Sequence, residues 1–240
     1  MFSNEFDKKL KECGLKRTFG YNFYFKNYIF DKIILKNKKL LDLGGGNGVA
    51  SFFAYNSERS CKCTIVDPYL EGSNKRMSLQ NKKLSKIYNN AVRLHNDYID
   101  TLPENYKFDI ILMHNSINHI GEDIIGDIDS NKNSQIEYSR RLSKILERAN
   151  ANATLIIADC SSKNFWNDLK IKNFLAPTID WNLHKPPNVW KNLIENLGFE
   201  HISTKWRARR ELLSFGKFFL SNVYASYMLN SFFVSIYKKK

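Results

Sequence analysis

Five short apolar runs punctuate the chain, at about 39–43, 63–67, 91–95, 108–113 and 154–158, each rich in Ile, Leu or Val and bounded by polar residues or glycine. Runs of that length and composition are predicted strands. The stretches between them, near 47–57, 73–88 and 134–150, carry apolar residues at helical spacing. Strands alternating with helices predict an α/β domain, with a parallel sheet buried on both faces. The ends break this rhythm. Residues 4–14 and 20–34 read as helices, the second crowded with aromatics from Tyr21 to Phe30. A Trp- and Pro-bearing segment at 164–187 fits neither period. A helix at about 188–197, closed by Gly198, precedes two late strands near 199–206 and 232–237. No repeat or low-complexity linker separates these parts. The predicted organisation is therefore an N-terminal helical cap over 1–38 and one α/β domain over 39–240, with an insertion at about 161–187.

Composition adds limits. The 240 residues are 43% hydrophobic and 14% aromatic, enough apolar surface for one sizeable core and too much for a disordered chain. No apolar stretch approaches the ~18 residues of a spanning helix. The first nine residues hold no apolar run behind a basic start, and four cysteines make no disulfide framework, so a reduced, cytoplasmic setting is expected. Cys61 and Cys63 lack a second cysteine pair, which argues against structural zinc. The net charge of +13 is unevenly placed. Residues 1–38 carry nine Lys/Arg against four Asp/Glu, and residues 201–240 carry eight against one. The body between them is almost neutral. Such basic ends suit nucleic acid or an anionic membrane, and equally an ordinary solvated surface.

The densest chemistry lies in Asp42-Leu43-Gly44-Gly45-Gly46-Asn47-Gly48, which follows a strand and opens a helix. Glycines there allow positive φ and close approach of a ligand to the main chain. A dinucleotide fingerprint needs Gly or Ala where this chain has Val49, so Gly44, Gly46 and Gly48 fit G-x-G-x-G, a cradle for a cofactor without pyrophosphate. The second strand ends on Asp67, whose carboxylate suits the two hydroxyls of a ribose. The third ends near Asn96-Asp97. The fourth runs through Met113 and His114 into Asn115-Ser116-Ile117-Asn118-His119. Ligands of open α/β sheets lie beyond these carboxyl ends.

With those residues in view, the chain resembles the class I S-adenosylmethionine-dependent methyltransferases over about 39–160, more weakly beyond. The resemblance implies a Rossmann-like, doubly wound, mostly parallel seven-stranded sheet of order 3-2-1-4-5-7-6, its seventh strand antiparallel. It implies S-adenosyl-L-methionine as cofactor, with Gly44, Gly46 and Gly48 against its methionine end, Asp42 beneath the loop, Asp67 on the ribose and Asp97 or Asn96 at the adenine. Met113 and His114 complete the expected contact set. The chain lacks the Asn-Pro-Pro-Tyr or Asp-Pro-Pro-Tyr run of the family's exocyclic-amino DNA methylases, and the Pro-Cys of its cytosine-C5 enzymes.

A hydroxyl acceptor must lose a proton during methyl transfer, and histidine is the side chain best matched to that task. His114 leads by its place at the strand end. His119 and His184 follow, the latter in the insertion that would shape an acceptor pocket. The expected reaction is O-methylation of a small molecule or a sugar or glycan precursor. An RNA methyltransferase using the basic termini is the alternative, as is a non-catalytic cofactor-binding protein. The aromatic, basic-edged stretch from Trp206 to Tyr237 is expected to cover the sheet or to rest on a membrane surface.

Overall fold

The computed structural model describes residues 5–70 and 73–240. Seven strands form one sheet: β1 (Lys39–Leu43), β2 (Lys62–Val66), β3 (Arg93–His95), β4 (Phe108–His114), β5 (Ala149–Cys160), β6 (Phe199–Trp206) and β7 (Phe232–Lys239). Their order is β3-β2-β1-β4-β5-β7-β6. β1 to β5 pair in parallel, and β7 runs antiparallel between β5 and β6.

Strand periodicity divides the core into two layers. From β4, Ile110 and Leu112 face one layer, and Ile111 and Met113 the other. β1 does the same with Leu40 and Leu41, and β5 with Ile156 and Ile157. The first layer is closed by α1 (Glu5–Glu12), α2 (Tyr21–Tyr24), α3 (Val49–Ser57) and α4 (Lys75–Ile87), the second by α5 (Lys132–Leu146) and, past the short α6 (Phe165–Asp168), α7 (Pro187–Asn196). α4 and α5 are capped by Asn74 and Asn131, whose side chains accept from backbone N–H groups of the first turn. Between β6 and β7 the chain makes an excursion through α8 (Leu213–Phe215), a π-turn over 216–220 and α9 (Val223–Leu229).

Three expected elements differ. The helix over 20–34 is only α2 followed by a π-turn, Phe25–Ile29. Tyr24, Phe25, Tyr28 and Ile29 all reach the core from these two short turns. The helix over 134–150 starts at its Asn131 cap and stops at Leu146, because Ala149 already belongs to β5. β5 itself runs through the polar Asn150 and Asn152 that hid its first half. Residue 4, the first of the helix expected over 4–14, lies outside the described residues. No helix among the described residues is long and apolar enough to cross a membrane.

Candidate active site

The glycine loop turns from β1 into α3 and is fixed from three sides. Gly44 N–H donates to the Val66 carbonyl at 2.8 Å, tying the loop to the tip of β2. Ser116 Oγ donates to the Leu43 carbonyl at 2.6 Å, tying it to the segment after β4. Asp67 accepts from Gly46 N–H at 2.7 Å, from Tyr69 N–H at 2.7 Å and from Ser73 Oγ at 2.6 Å. Gly44 has φ +65°, and a Cβ there would lie 2.5 Å from the Cβ of Ser116, so glycine is required twice over. Gly46, at φ +53°, has open space where its Cβ would be, apart from the Met77 sulfur at 3.5 Å. Its bare side faces the cavity rather than protein.

Asp42 lies beneath this loop on the first-layer face of β1, fully buried. Its Oδ2 accepts from Ser51 Oγ at 2.9 Å, while Oδ1 has no partner. Burial pushes this carboxyl up to about 6, with the nearby Asp67 charge adding to the rise against the Ser51 bond. An unpaired buried carboxylate oxygen under a glycine cradle is suited to a cationic partner. The ammonium of a methionine moiety has the right charge for it.

The loop opens into a cavity of about 910 Å³, near the upper end of the usual range for small-molecule sites. Its walls include Gly44–Asn47, Asp67, the stretch Tyr98–Asp100, His114–Ser116 and His119–Asp123. Five expected cofactor residues therefore meet here or just beneath: Asp42, Gly44, Gly46, Asp67 and His114. Four others stand elsewhere. Gly48 packs against Ile65, Asn81 and Phe52 at the start of α3, so its bareness serves the turn. Met113 points into the second core layer by strand alternation. Asn96 and Asp97 are exposed outside the cavity wall, with Asp97 Oδ1 taken by the Tyr98 N–H. Tyr98, Ile99 and Asp100 line that end of the cavity instead.

The three histidines separate clearly. His114 continues the Ile110–Leu112 side of β4 and so faces the N-terminal cap, where Nε2 bonds to Tyr24 Oη at 2.8 Å. Burial, helped by the Arg207 and Arg210 guanidiniums, pushes His114 down to about 3. Arg207 itself lies over the Tyr24 ring, 4.7 Å from its centre. A base titrating near neutrality, the role expected of His114, does not fit these surroundings. His119 sits on a 3₁₀ turn, Ile117–Gly121, on the cavity wall, and its Nδ1 bonds to the Glu122 carboxylate. Tyr138 Oη from α5 holds that turn through the Ile117 carbonyl. His184 bonds through Nδ1 to Asp159 Oδ1 at 3.0 Å at the end of β5, apart from the residues lining this cavity. Asp159 is wholly buried and its Oδ2 is unpaired. Glu122 was missed in the sequence, although its spacing of three from His119 was a readable signal. Tyr24 gave none, since ninety residues separate it from His114.

A family signature described as a methyltransferase domain matches residues 16–203, most of the chain. The chain belongs to this family. S-adenosylmethionine is the methyl donor that membership implies. No curated protein matches the methyltransferase in sequence. Among solved structures, a SAM-dependent methyltransferase from Aquifex aeolicus aligns with TM-score 0.59 at 14% identity, over 99% of this chain and 98% of that one. The pyocyanin biosynthetic protein PhzM aligns with TM-score 0.56 at 15% identity, over 100% of this chain and 63% of its own. A family 2 O-methyltransferase from Planctomyces limnophilus, solved with apigenin, gives TM-score 0.58 at 14% identity, over 99% and 62%. At such identities the likeness is one of fold, and the sheet order is that of class I methyltransferases. The chain spans only about three fifths of the length of PhzM.

Proposed function

We propose that this methyltransferase transfers a methyl group to a hydroxyl of a small molecule or sugar. The observation that carries the reading is that one cavity joins the glycine loop and Asp67 to a histidine–carboxylate pair, His119 and Glu122. When bound, S-adenosylmethionine supplies a methyl group already activated by the positive sulfur, so the protein has mainly to align the acceptor and receive its proton. Asp42 would hold the ammonium, Gly44 and Gly46 the methionine backbone, and Asp67 the ribose hydroxyls in exchange for its present Ser73 bond. The wall at Tyr98–Asp100 would take the adenine.

Glu122 accepts from Nδ1–H of His119 and so fixes the tautomer that leaves Nε2 as the proton acceptor. The acceptor hydroxyl gives its proton to that nitrogen as its oxygen takes the methyl, leaving S-adenosylhomocysteine. The solved neighbours add support of a general kind, for they include a mitomycin 7-O-methyltransferase as well as the apigenin complex.

The test is transfer of labelled methyl to a panel of phenols, sugars and other hydroxylated small molecules. His119→Ala should lower turnover on the best acceptor by about 10²-fold, the usual weight of a general base. Affinity for S-adenosylhomocysteine should hardly change. Transfer to amines alone, or undiminished turnover in the variant, would refute the assignment.

A further inference from the structure

The N-terminal cap and the β6–β7 excursion, each drawn from one of the basic ends of the sequence, meet in space. Lys11, Lys16 and Arg17 from the N-terminal side and Arg209 from the β6–β7 excursion line a second cleft, of about 990 Å³. Its acids are Asp7 and Glu211. Thr18, buried in its wall, has an Oγ1 with no partner. The other wall is apolar, formed by Phe19, Leu212 and Leu213.

From Leu213 the chain continues into the most conspicuous exposed apolar surface of the molecule. Phe215 is 61% exposed, Phe218 80%, Phe219 66% and Tyr224 82%. Single exposed apolar residues need no explanation, but this many large ones within ten positions do. They are not on a loose loop. The inner side of the excursion is pinned to the cap: Arg210 donates to the Phe19 and Arg17 carbonyls at 3.2 and 3.0 Å, Tyr28 Oη meets Ser221 Oγ at 2.8 Å, and Lys217 Nζ donates to Asn27 at 3.1 Å. Gly216 makes the close approach, since a Cβ there would lie 2.7 Å from Leu212 and 2.9 Å from Ala208. The same π-turn that buries Gly216 turns Phe218 and Phe219 outward, and the Phe215 and Phe219 rings pack at 5.1 Å.

We infer that the aromatic ridge of residues 213–224 and the adjoining basic cleft dock this protein on an anionic phospholipid surface, the rings entering the interface and Lys16, Arg17 and Arg209 meeting lipid phosphates. Aromatic insertion next to Lys/Arg is the arrangement by which peripheral proteins hold such surfaces. Charge selects this occupant over a second copy of the chain. The cleft holds Lys11, Lys16, Arg17 and Arg209 against Asp7 and Glu211, so two copies facing each other would bring an excess of like charge together. Leu212 and Leu213 beside the rings suit acyl chains, whereas stacked bases would want aromatic faces alone. The inference does not depend on which acceptor is methylated.

The experiment is flotation of the full chain with vesicles of phosphatidylcholine alone and of phosphatidylcholine mixed with phosphatidylglycerol. The wild type should float with the anionic vesicles only, less so as salt rises. Phe218→Ser with Phe219→Ser, and separately Lys16→Glu with Arg17→Glu, should each reduce binding tenfold or more, with affinity for S-adenosylhomocysteine unchanged. All four side chains are exposed, and Tyr224→Ser offers a further variant should one pair fail to fold. Absence of wild-type binding to the anionic vesicles would overturn the proposal. So would undiminished binding by the phenylalanine variant, a dimer that this variant dissociates, or binding of single-stranded RNA in place of vesicles.

Discussion

Asp42 is costly to the fold, and the proposed site gives that cost a use. Its carboxyl is held near 6, above the ordinary ~4, so between those values the folded chain keeps a proton that the unfolded chain releases. Stability therefore falls as pH rises through that window, and the cost persists above it. Asp42→Asn should stabilise the ligand-free protein at pH ~8 by at most about 3 kcal/mol, and leave it unchanged below pH ~4. Thermal unfolding at the two pH values checks this. The same variant should bind S-adenosylhomocysteine at least tenfold more weakly, because the ammonium loses its counter-charge. In the wild type, binding near pH ~6 should release protons, since the ligand's cation favours the ionised carboxylate; calorimetry in buffers of different ionisation enthalpy reads that release directly. His114 behaves in the opposite way. Pushed down to about 3, it stays neutral through the working range, and His114→Gln should leave the pH profile of turnover between about 5 and 9 unchanged. A profile whose inflection disappears in that variant would restore His114 as the base.

At the scale of elements, the sheet was legible because its strands are short apolar runs ended by polar residues at the tips that matter. That Asp42, Gly44, Gly46 and Asp67 lie close together was legible for that reason: a strand end places its neighbours without knowledge of the rest. What escaped depended on contacts between distant segments or on irregular backbone. The helix expected over 20–34 gives way to a π-turn at Phe25–Ile29, a backbone irregularity that the spacing of its residues does not announce. Asn96 and Asp97, expected at the adenine, do follow the end of β3 directly, but they are exposed outside the cavity wall, which Tyr98, Ile99 and Asp100 line instead. The 3₁₀ turn carrying His119 depends on one phenol from α5. Tyr138→Phe removes that buried bond and leaves the Ile117 carbonyl unmet, which should cost about 1–3 kcal/mol in denaturant unfolding. Turnover should fall further than stability predicts, because the turn sets where His119 stands. Gly44→Ala should be worse for the fold than Gly46→Ala, since only the first Cβ collides with protein. Chemical denaturation of both variants, beside their affinities for S-adenosylhomocysteine, separates the structural glycine from the ligand-facing one.

For the molecule as a whole, the strand order and the reversed β7 followed from resemblance to class I methyltransferases, and the family match agrees with them. The meeting of the N-terminal cap with the β6–β7 excursion could not be read from the chain, since net charge along a sequence says nothing about which segments come together. That convergence closes the first core layer over His114 and creates the second cleft. The claim on which everything else rests is that the cavity beyond β1, β2 and β4 holds the methyl donor through Asp42, Gly46 and Asp67. Isothermal calorimetry with S-adenosylhomocysteine tests it most directly. Saturable binding with one site per chain, weakened at least tenfold by Asp42→Asn and by Asp67→Ala and abolished by Gly46→Trp in protein that still unfolds cooperatively, is the expected result. Folded wild-type protein that shows no binding at millimolar ligand, or binding indifferent to all three replacements, would contradict it.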